Sequence, residues 1–427
     1  MKYMNPERIK EIIKKYSTAD EFFLIGYESD STNMRFHDNM INREFISKKN
    51  IELYLKSFFE SRSASVLISS VEEEEIAKGV ALSEELARKA PKDPEYMPQL
   101  ESADYSFYKD TSEKFEINEG LYCLKKVFEN MTQNKLKSYG ILNHSQAKLM
   151  IMNSSDICHG INSSDFDFSI TVKSGDATGW ANERSKSFKD LDIAGLCGRA
   201  SQKALKAKEP KELSPGKYTV ILESPAISEL LLFMGMHLNE KDVDRGVSCF
   251  SGKLNTTVCN KEISLISQID ERYYFRPWSS EGVPARNIEI IKSGVLKELS
   301  RSRYYAEKKN KKTNFFGNYV LTGDTKKEKS LEEIIRETQD GILVTRFWYI
   351  RSVDPKNLVL TGMTRDGLYQ IKDGEISGAL KNFRFNESLL KILTNIDLYT
   401  KPKNESYDVA APHVRVNDFT FTSTTSF

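Results

Sequence analysis

One stretch, Ser214–Asn239 (SPGKYTVILESPAISELLLFMGMHLN), constrains this chain more tightly than any other. Ser214-Pro215-Gly216 is turn chemistry, and Tyr218-Thr219-Val220-Ile221-Leu222 has the β-branched density of a buried strand. Ser224 is then expected as a helix N-cap, with Pro225 at the first helical position, where its missing N–H costs nothing. Ile227, Leu230, Leu231, Met234 and Leu238 recur at helical spacing, while Leu232, Phe233 and Met236 fill the other faces. A helix over 225–238 that is apolar nearly all round is expected to be buried. It is too short to cross a bilayer, which takes about 20 residues.

A chain of 427 residues has room for two or three domains with sizeable cores. Its 62 Lys and Arg against 61 Asp and Glu leave a net charge of +1, so no long-range field steers it toward nucleic acid or anionic lipid. Neither a membrane nor a nucleic acid is expected as a partner. The first residues read as an amphipathic helix, with Asn5 as N-cap, Pro6 next and Ile9, Ile12, Ile13 and Tyr16 on one face, and not as a secretory leader. Cys123, Cys158, Cys197, Cys249 and Cys259 form no CxxC pair, which fits a reducing compartment; a cytoplasmic protein is expected.

Ahead of the central stretch, strands are expected at Glu21–Tyr27 and Ile51–Phe59 and a helix within Ser69–Lys92. Residues 90–108 carry three prolines without periodicity and read as a linker between two packed units. A helix at Ile117–Asn130, a strand meander over 137–179 and a helix at Asp190–Ala207 follow. Beyond 213 the pattern is mostly β, with hairpins around Lys292-Ser293-Gly294 and Asp373-Gly374 and an edge or closing strand near the C-terminus. The predicted fold is therefore α+β: an N-terminal α/β domain over 1–212 and a C-terminal β-rich domain over 213–427 that holds the helix 225–238.

Catalytic chemistry is hard to find. A zinc hydrolase needs converging imidazole, thiolate or carboxylate ligands and a carboxylate to take the proton of the bound water. Of His37, His144, His159, His237 and His413, no two stand at i, i+4 or i, i+5 on a predicted helix. A His237/Cys249/Cys259 set is the one alternative, against the plainer reading of cysteines buried in a β-rich core. Cys158 and His159 are neighbours on a strand and point to opposite faces, which rules against a Cys–His pair. No GxSxG elbow or phosphate-binding loop occurs. The loop Lys308–Lys312 is basic but lacks interleaved aromatics, and reads as a solvated turn. In Asp340–Pro355 the residues Arg346, Trp348, Tyr349 and Arg351 stand together, the side chains that peptide grooves and subunit interfaces favour. The alternative is that these aromatics fill a barrel core.

The strand, proline turn and helix with Gly235 near its end resemble the centre of the TldD/PmbA family, peptidase-related proteins also known as modulators of DNA gyrase. Leu191-Asp192-Ile193-Ala194, Glu281-Gly282-Val283-Pro284, Asp340-Gly341-Ile342, Lys372-Asp373-Gly374-Glu375-Ile376 and Val416–Thr422 continue the likeness in order. It implies an N-terminal α/β part and a curved, barrel-like C-terminal β part. In the catalytic branch the central helix carries HExxxH; aligned on Gly235, those metal and base positions are Leu231, Leu232 and Met236 here. A further thiolate ligand is implied by a turn that matches Leu398–Asp408, which has no cysteine. The resemblance thus implies the PmbA/TldE-like branch: a non-catalytic subunit without a metal cofactor. It would bind small or unfolded peptides as a homodimer or as a heterodimer with a TldD-like metallopeptidase. An active metallopeptidase with atypical ligands and a homo-oligomeric peptide-binding protein without protease activity are the alternatives.

Overall fold

Long alternating strands dominate the first half of the chain. The computed structural model describes residues 4–425 apart from 107, 208, 271 and 405–407, and residues 43–48 by backbone alone. Helix α1 (Pro6–Tyr16) is capped as expected, the Asn5 side chain accepting from the Arg8 N–H. There follow β1 (Glu21–His37), β2 (Met40–Phe59), β3 (Arg62–Ile68), α2 (Glu73–Lys89), α3 (Ile117–Gln133), β4 (Lys137–Asn153), β5 (Cys158–Ser174), β6 (Ala177–Ser185) and α4 (Ile193–Lys206). The strands form one antiparallel sheet in the order β3-β2-β1-β4-β5-β6.

This sheet corrects the expectation of two units on either side of residues 90–108, because β1 pairs with β4 from Phe23 to His37. The helices cover the sheet in two groups. Those at the chain start pack Ile9, Ile13, Ile76 and Val80 on Leu24, Leu53, Leu55 and Met150. The pair α3 and α4 packs Leu124, Leu196 and Ala200 on Phe36, Phe166, Phe168 and Ile170. The linker is anchored as well as irregular: Tyr105 and Tyr108 are buried against Trp278, and the Tyr105 hydroxyl donates to the Gly282 carbonyl at 2.6 Å. Position 107 of that linker lies outside the described residues.

The second half contains β7 (Gly216–Leu222), α5 (Ser224–Gly235), α6 (Glu240–Asp244), β8 (Ser264–Ser267), β9 (Ile288–Lys292), β10 (Val295–Leu296), α7 (Arg303–Lys308), β11 (Tyr319–Thr322), α8 (Leu331–Arg336), β12 (Asp340–Asp354), β13 (Val359–Lys372), β14 (Glu375–Ala379), β15 (Phe383–Ser388), α9 (Leu389–Thr394), β16 (Ile396–Tyr399), β17 (Val409–Ala410) and β18 (Val414–Thr424). Strands β12, β7, β18, β15 and β13 follow one another, and β12 pairs back onto β13, closing a five-stranded barrel. A smaller sheet, β10-β9-β8-β11-β17, lies beside it. The α+β class and the barrel-like C-terminal part are as expected from the sequence.

The structure refines three local expectations. Strand β18 is interior, between β7 and β15, because Val414, Val416, Phe419 and Phe421 all point into the barrel. The basic loop is exposed as expected, and two of its lysines are paired, Lys309 on Asp244 and Lys311 on Glu240, each at 2.5 Å. The central helix runs over 224–235 instead of 225–238, and its N-cap is Glu223. The reason lies in its neighbours. The Glu223 carboxylate is held by Lys203, and the Ser224 N–H donates to His413 Nδ1 at 2.8 Å, so a side chain distant in sequence caps the first turn.

Candidate functional site

The three degenerate positions diverge. Leu231 is 0% exposed and packs with Leu230 and Met234 in the core shared by the barrel and the smaller sheet. Leu232 is 43% exposed and Met236, just past the last helical residue, 65%. The helix is therefore buried all round over Ser224–Ser228 and on one face only beyond it, which corrects the expectation of burial on all sides. A structural or catalytic zinc needs converging nitrogen, sulfur or oxygen donors; two leucines supply none and a methionine only a weak thioether. These residues do not fit the metal that the resemblance implies for the catalytic branch.

Among the described residues no three His, Cys, Asp or Glu side chains come together as a cation site. In the alternative set, burial pushes the Cys249 thiol up to about 11 and the Cys259 thiol up to about 12, and both side chains pack in the apolar core around the barrel. Cys158 packs toward α1 while the His159 ring stacks on Tyr105, on opposite faces as expected. Of the turn Leu398–Asp408, residues 405–407 lie outside the described residues.

Sequence reasoning overlooked Glu229, one turn ahead of Leu232 and Phe233 on the half-open face. Burial raises its carboxyl from an ordinary value of 4.5 to about 7, with Arg346 opposing the shift and Asp366 adding to it. The folded protein thus holds this proton where the unfolded chain has released it. Stability is expected to fall as pH rises from about 4.5 through about 7 on this account. Glu229→Gln is expected to remove that slope, adding about 1–3 kcal/mol at pH 8 and close to nothing at pH 4. Urea midpoints of both proteins across this range check it; parallel profiles would refute it.

Strand β12 sorts the Arg and aromatic residues by depth. Arg346 Nε donates to Asp366 Oδ2 at 2.5 Å, Nη2 forms an ion pair with the same oxygen, and the guanidinium lies over Trp180 at 4.6 Å. Phe347 turns into the barrel against Phe385 and Phe419. Trp348 and Tyr349 are 41% and 55% exposed, edge-to-face at 4.5 Å, with Arg365 over Trp348 and Arg351 over Tyr349. The register to β13 shifts between Trp348 and Arg351, and Tyr349 takes a left-handed φ of 55°. This bulge breaks the strand alternation and turns two consecutive aromatics outward. Trp348 borders a cavity of about 1000 Å³ between β13 and the hairpin of β5 and β6.

A third group gathers at the start of α5 from three distant segments. Lys203 Nζ donates to Glu223 Oε2 at 2.5 Å and to the Trp180 carbonyl at 3.2 Å, while His413 sits beside them, 6% exposed. Burial, reinforced by Lys403, Lys203 and Arg199, holds the imidazole pKa well below its usual value, so it is neutral. No spacing rule in the sequence relates positions 203, 223 and 413.

Comparison with known proteins places these features. A family model described as the PmbA/TldA metallopeptidase C-terminal domain matches residues 215–423. The chain is 25% identical over 312 residues to the metalloprotease MJ0996 of Methanocaldococcus jannaschii, covering 67% of each chain. It is 25% identical over 201 residues to a metalloprotease of Archaeoglobus fulgidus, covering 43% of this chain and 45% of that one. In fold it is similar to TldE of Thermococcus kodakarensis, with a TM-score of 0.80, 17% identity and coverage of 97% and 99% of the two chains. A candidate DNA gyrase modulator of Thermotoga maritima superimposes equally, with a TM-score of 0.80, 18% identity and the same coverage of 97% and 99%. No helix among the described residues is long and apolar enough to cross a membrane.

Proposed function

This chain belongs to the TldD/PmbA family through its C-terminal domain, residues 215–423, and from that premise we propose that it is a non-catalytic, peptide-binding subunit of the TldE type. It acts beside a metal-bearing TldD-like chain, and the peptides it handles are small or unfolded. The observation that carries this reading is the side-chain chemistry at Leu231, Leu232 and Met236, with Leu231 sealed in the core. Apolar residues there spare the helix the cost of desolvating charged ligands and leave it as scaffold.

The exposed pair Trp348 and Tyr349, flanked by Arg351 and Arg365, supplies the contact surface. Rigid aromatics beside arginine are the side chains that dominate binding energy at interfaces. The cavity of about 1000 Å³ next to Trp348 is large enough to admit several residues of an extended peptide.

The test is reconstitution. The purified chain alone is expected to hydrolyse no unfolded peptide with or without added zinc, whereas a mixture with a TldD-like chain does so. Chelator-sensitive hydrolysis by the isolated chain would sink this reading and favour an active metallopeptidase with other ligands. Exclusive recovery of a homo-oligomer at native expression would favour the homodimeric binding protein. Replacing Trp348 and Tyr349 together by alanine is expected to weaken association with the partner about tenfold or more. Their exposure predicts an unchanged melting temperature, read by calorimetry on the same samples.

A further inference from the structure

The polar group at the start of α5 has donors that its own neighbours leave unused. Because His413 Nδ1 accepts the Ser224 N–H, the neutral ring carries its proton on Nε2 and offers a donor there. That nitrogen has no hydrogen-bond partner among the described residues, although the ring is nine-tenths buried. His413 lines a crevice of about 20 Å³, room for one water-sized group. Arg199 and Lys203 line the same crevice, beneath the first turn of a 12-residue helix whose dipole adds positive potential. The acids nearby are partly engaged: Glu223 holds Lys203 at 2.5 Å, and Asp192 reaches Arg199 only at 4.0 Å. Lys403 is close enough to depress the imidazole pKa as well.

Arg199, Lys203 and Glu223 also line a second cavity of about 450 Å³, floored by Leu343, Ile335 and Ile376. The pair of cavities that share these three side chains is donor-rich and water-sized on the His413 side, while on the other side its floor is apolar, its rim carries Lys206, Arg336 and Glu375, and there is room for a side chain. We infer that it binds a carboxylate attached to an apolar body, the free C-terminal end of a peptide whose last residue is hydrophobic. Arg199 and the His413 Nε2–H hold the carboxylate oxygens as charge-assisted and neutral hydrogen bonds, and Lys203 supplies charge without leaving Glu223. The inference rests on the peptide-binding reading above and adds to it which end of the peptide is recognised.

A short carboxylic acid would present the same chemistry, so the experiment separates the two sources. The full chain is titrated with hexanoate and with one hydrophobic-ended hexapeptide, as free acid and as C-terminal amide. Tryptophan fluorescence is the readout, since Trp180 lines the crevice. The free acid is expected to bind about tenfold tighter than the amide. Arg199→Gln and His413→Gln should each bring that ratio near one by weakening the free acid more than the amide. Arg199 is only half-buried on a helix surface, so R199Q keeps the test valid if H413Q does not fold.

Equal binding of acid and amide by the unaltered protein would overturn the carboxylate site and leave the peptide reading standing. An acid preference that survives R199Q would overturn it too. Arg199-dependent binding of hexanoate with no binding of either peptide would support the site, assign it to small acids and remove the peptide reading. No binding of any probe would overturn both.

Discussion

Installing histidine at position 231 is expected to destabilise this protein by about 3–5 kcal/mol, whereas glutamate at 232 and histidine at 236 cost under about 1 kcal/mol each. Leu231 has no exposed surface and contacts the barrel core, so Leu231→His removes packed methyl groups and buries an imidazole with no partner built for it. Leu232 and Met236 already face outward and exchange one solvated side chain for another. Rebuilding the HExxxH pattern in this chain is therefore expected to lose the fold before it gains an ion. Urea denaturation of the three single variants checks the ranking. If Leu231→His proves as mild as Met236→His, the helix is rotated relative to the description above.

Lys203→Met is the other large effect, expected to cost about 3–5 kcal/mol because it strands the Glu223 carboxylate in a buried site. Lys203 and Glu223 have side chains only 11% and 7% exposed and meet at 2.5 Å. Combining Lys203→Met with Glu223→Gln is expected to recover most of the loss, since the second change removes the uncompensated charge. Thermal unfolding of the two singles and the double, measured at one pH, gives the coupling. Additive losses would mean that the two groups do not depend on one another.

Both predictions sit on the stretch that the sequence made most legible, and they show where that legibility stops. Strand β7, the proline turn and a helix at 224–235 were readable because β-branched residues, Pro225 and helical spacing are local signals. The hairpin at Asp373-Gly374 was equally plain, and both residues take the left-handed φ that such a turn demands. Which face of the helix is covered was not readable. Leu231, Leu232 and Met236 are equally apolar in sequence, and only the position of the barrel decides that the first is core and the others are not.

The same holds along β12. Alternation correctly predicts a strand, but the bulge after Trp348 depends on how β13 pairs, and it is the bulge that exposes Trp348 and Tyr349 together. Glu229 was passed over because a single acid in a greasy helix carries no motif. Its raised pKa comes from burial beside Arg346 and Asp366, each more than one hundred residues away in the chain.

The sequence by itself determined the α+β class, the order of the central strand and helix, and the absence of metal-binding side chains at 231, 232 and 236, because these are matters of local spacing and residue identity. The tertiary structure alone decided that the first half is one sheet, that β18 is interior, and that Lys203, Glu223 and His413 meet at the start of α5. The physical reason is that hydrogen-bond partners and burial are supplied by segments far apart in the chain, and no periodicity within a segment records who those partners are.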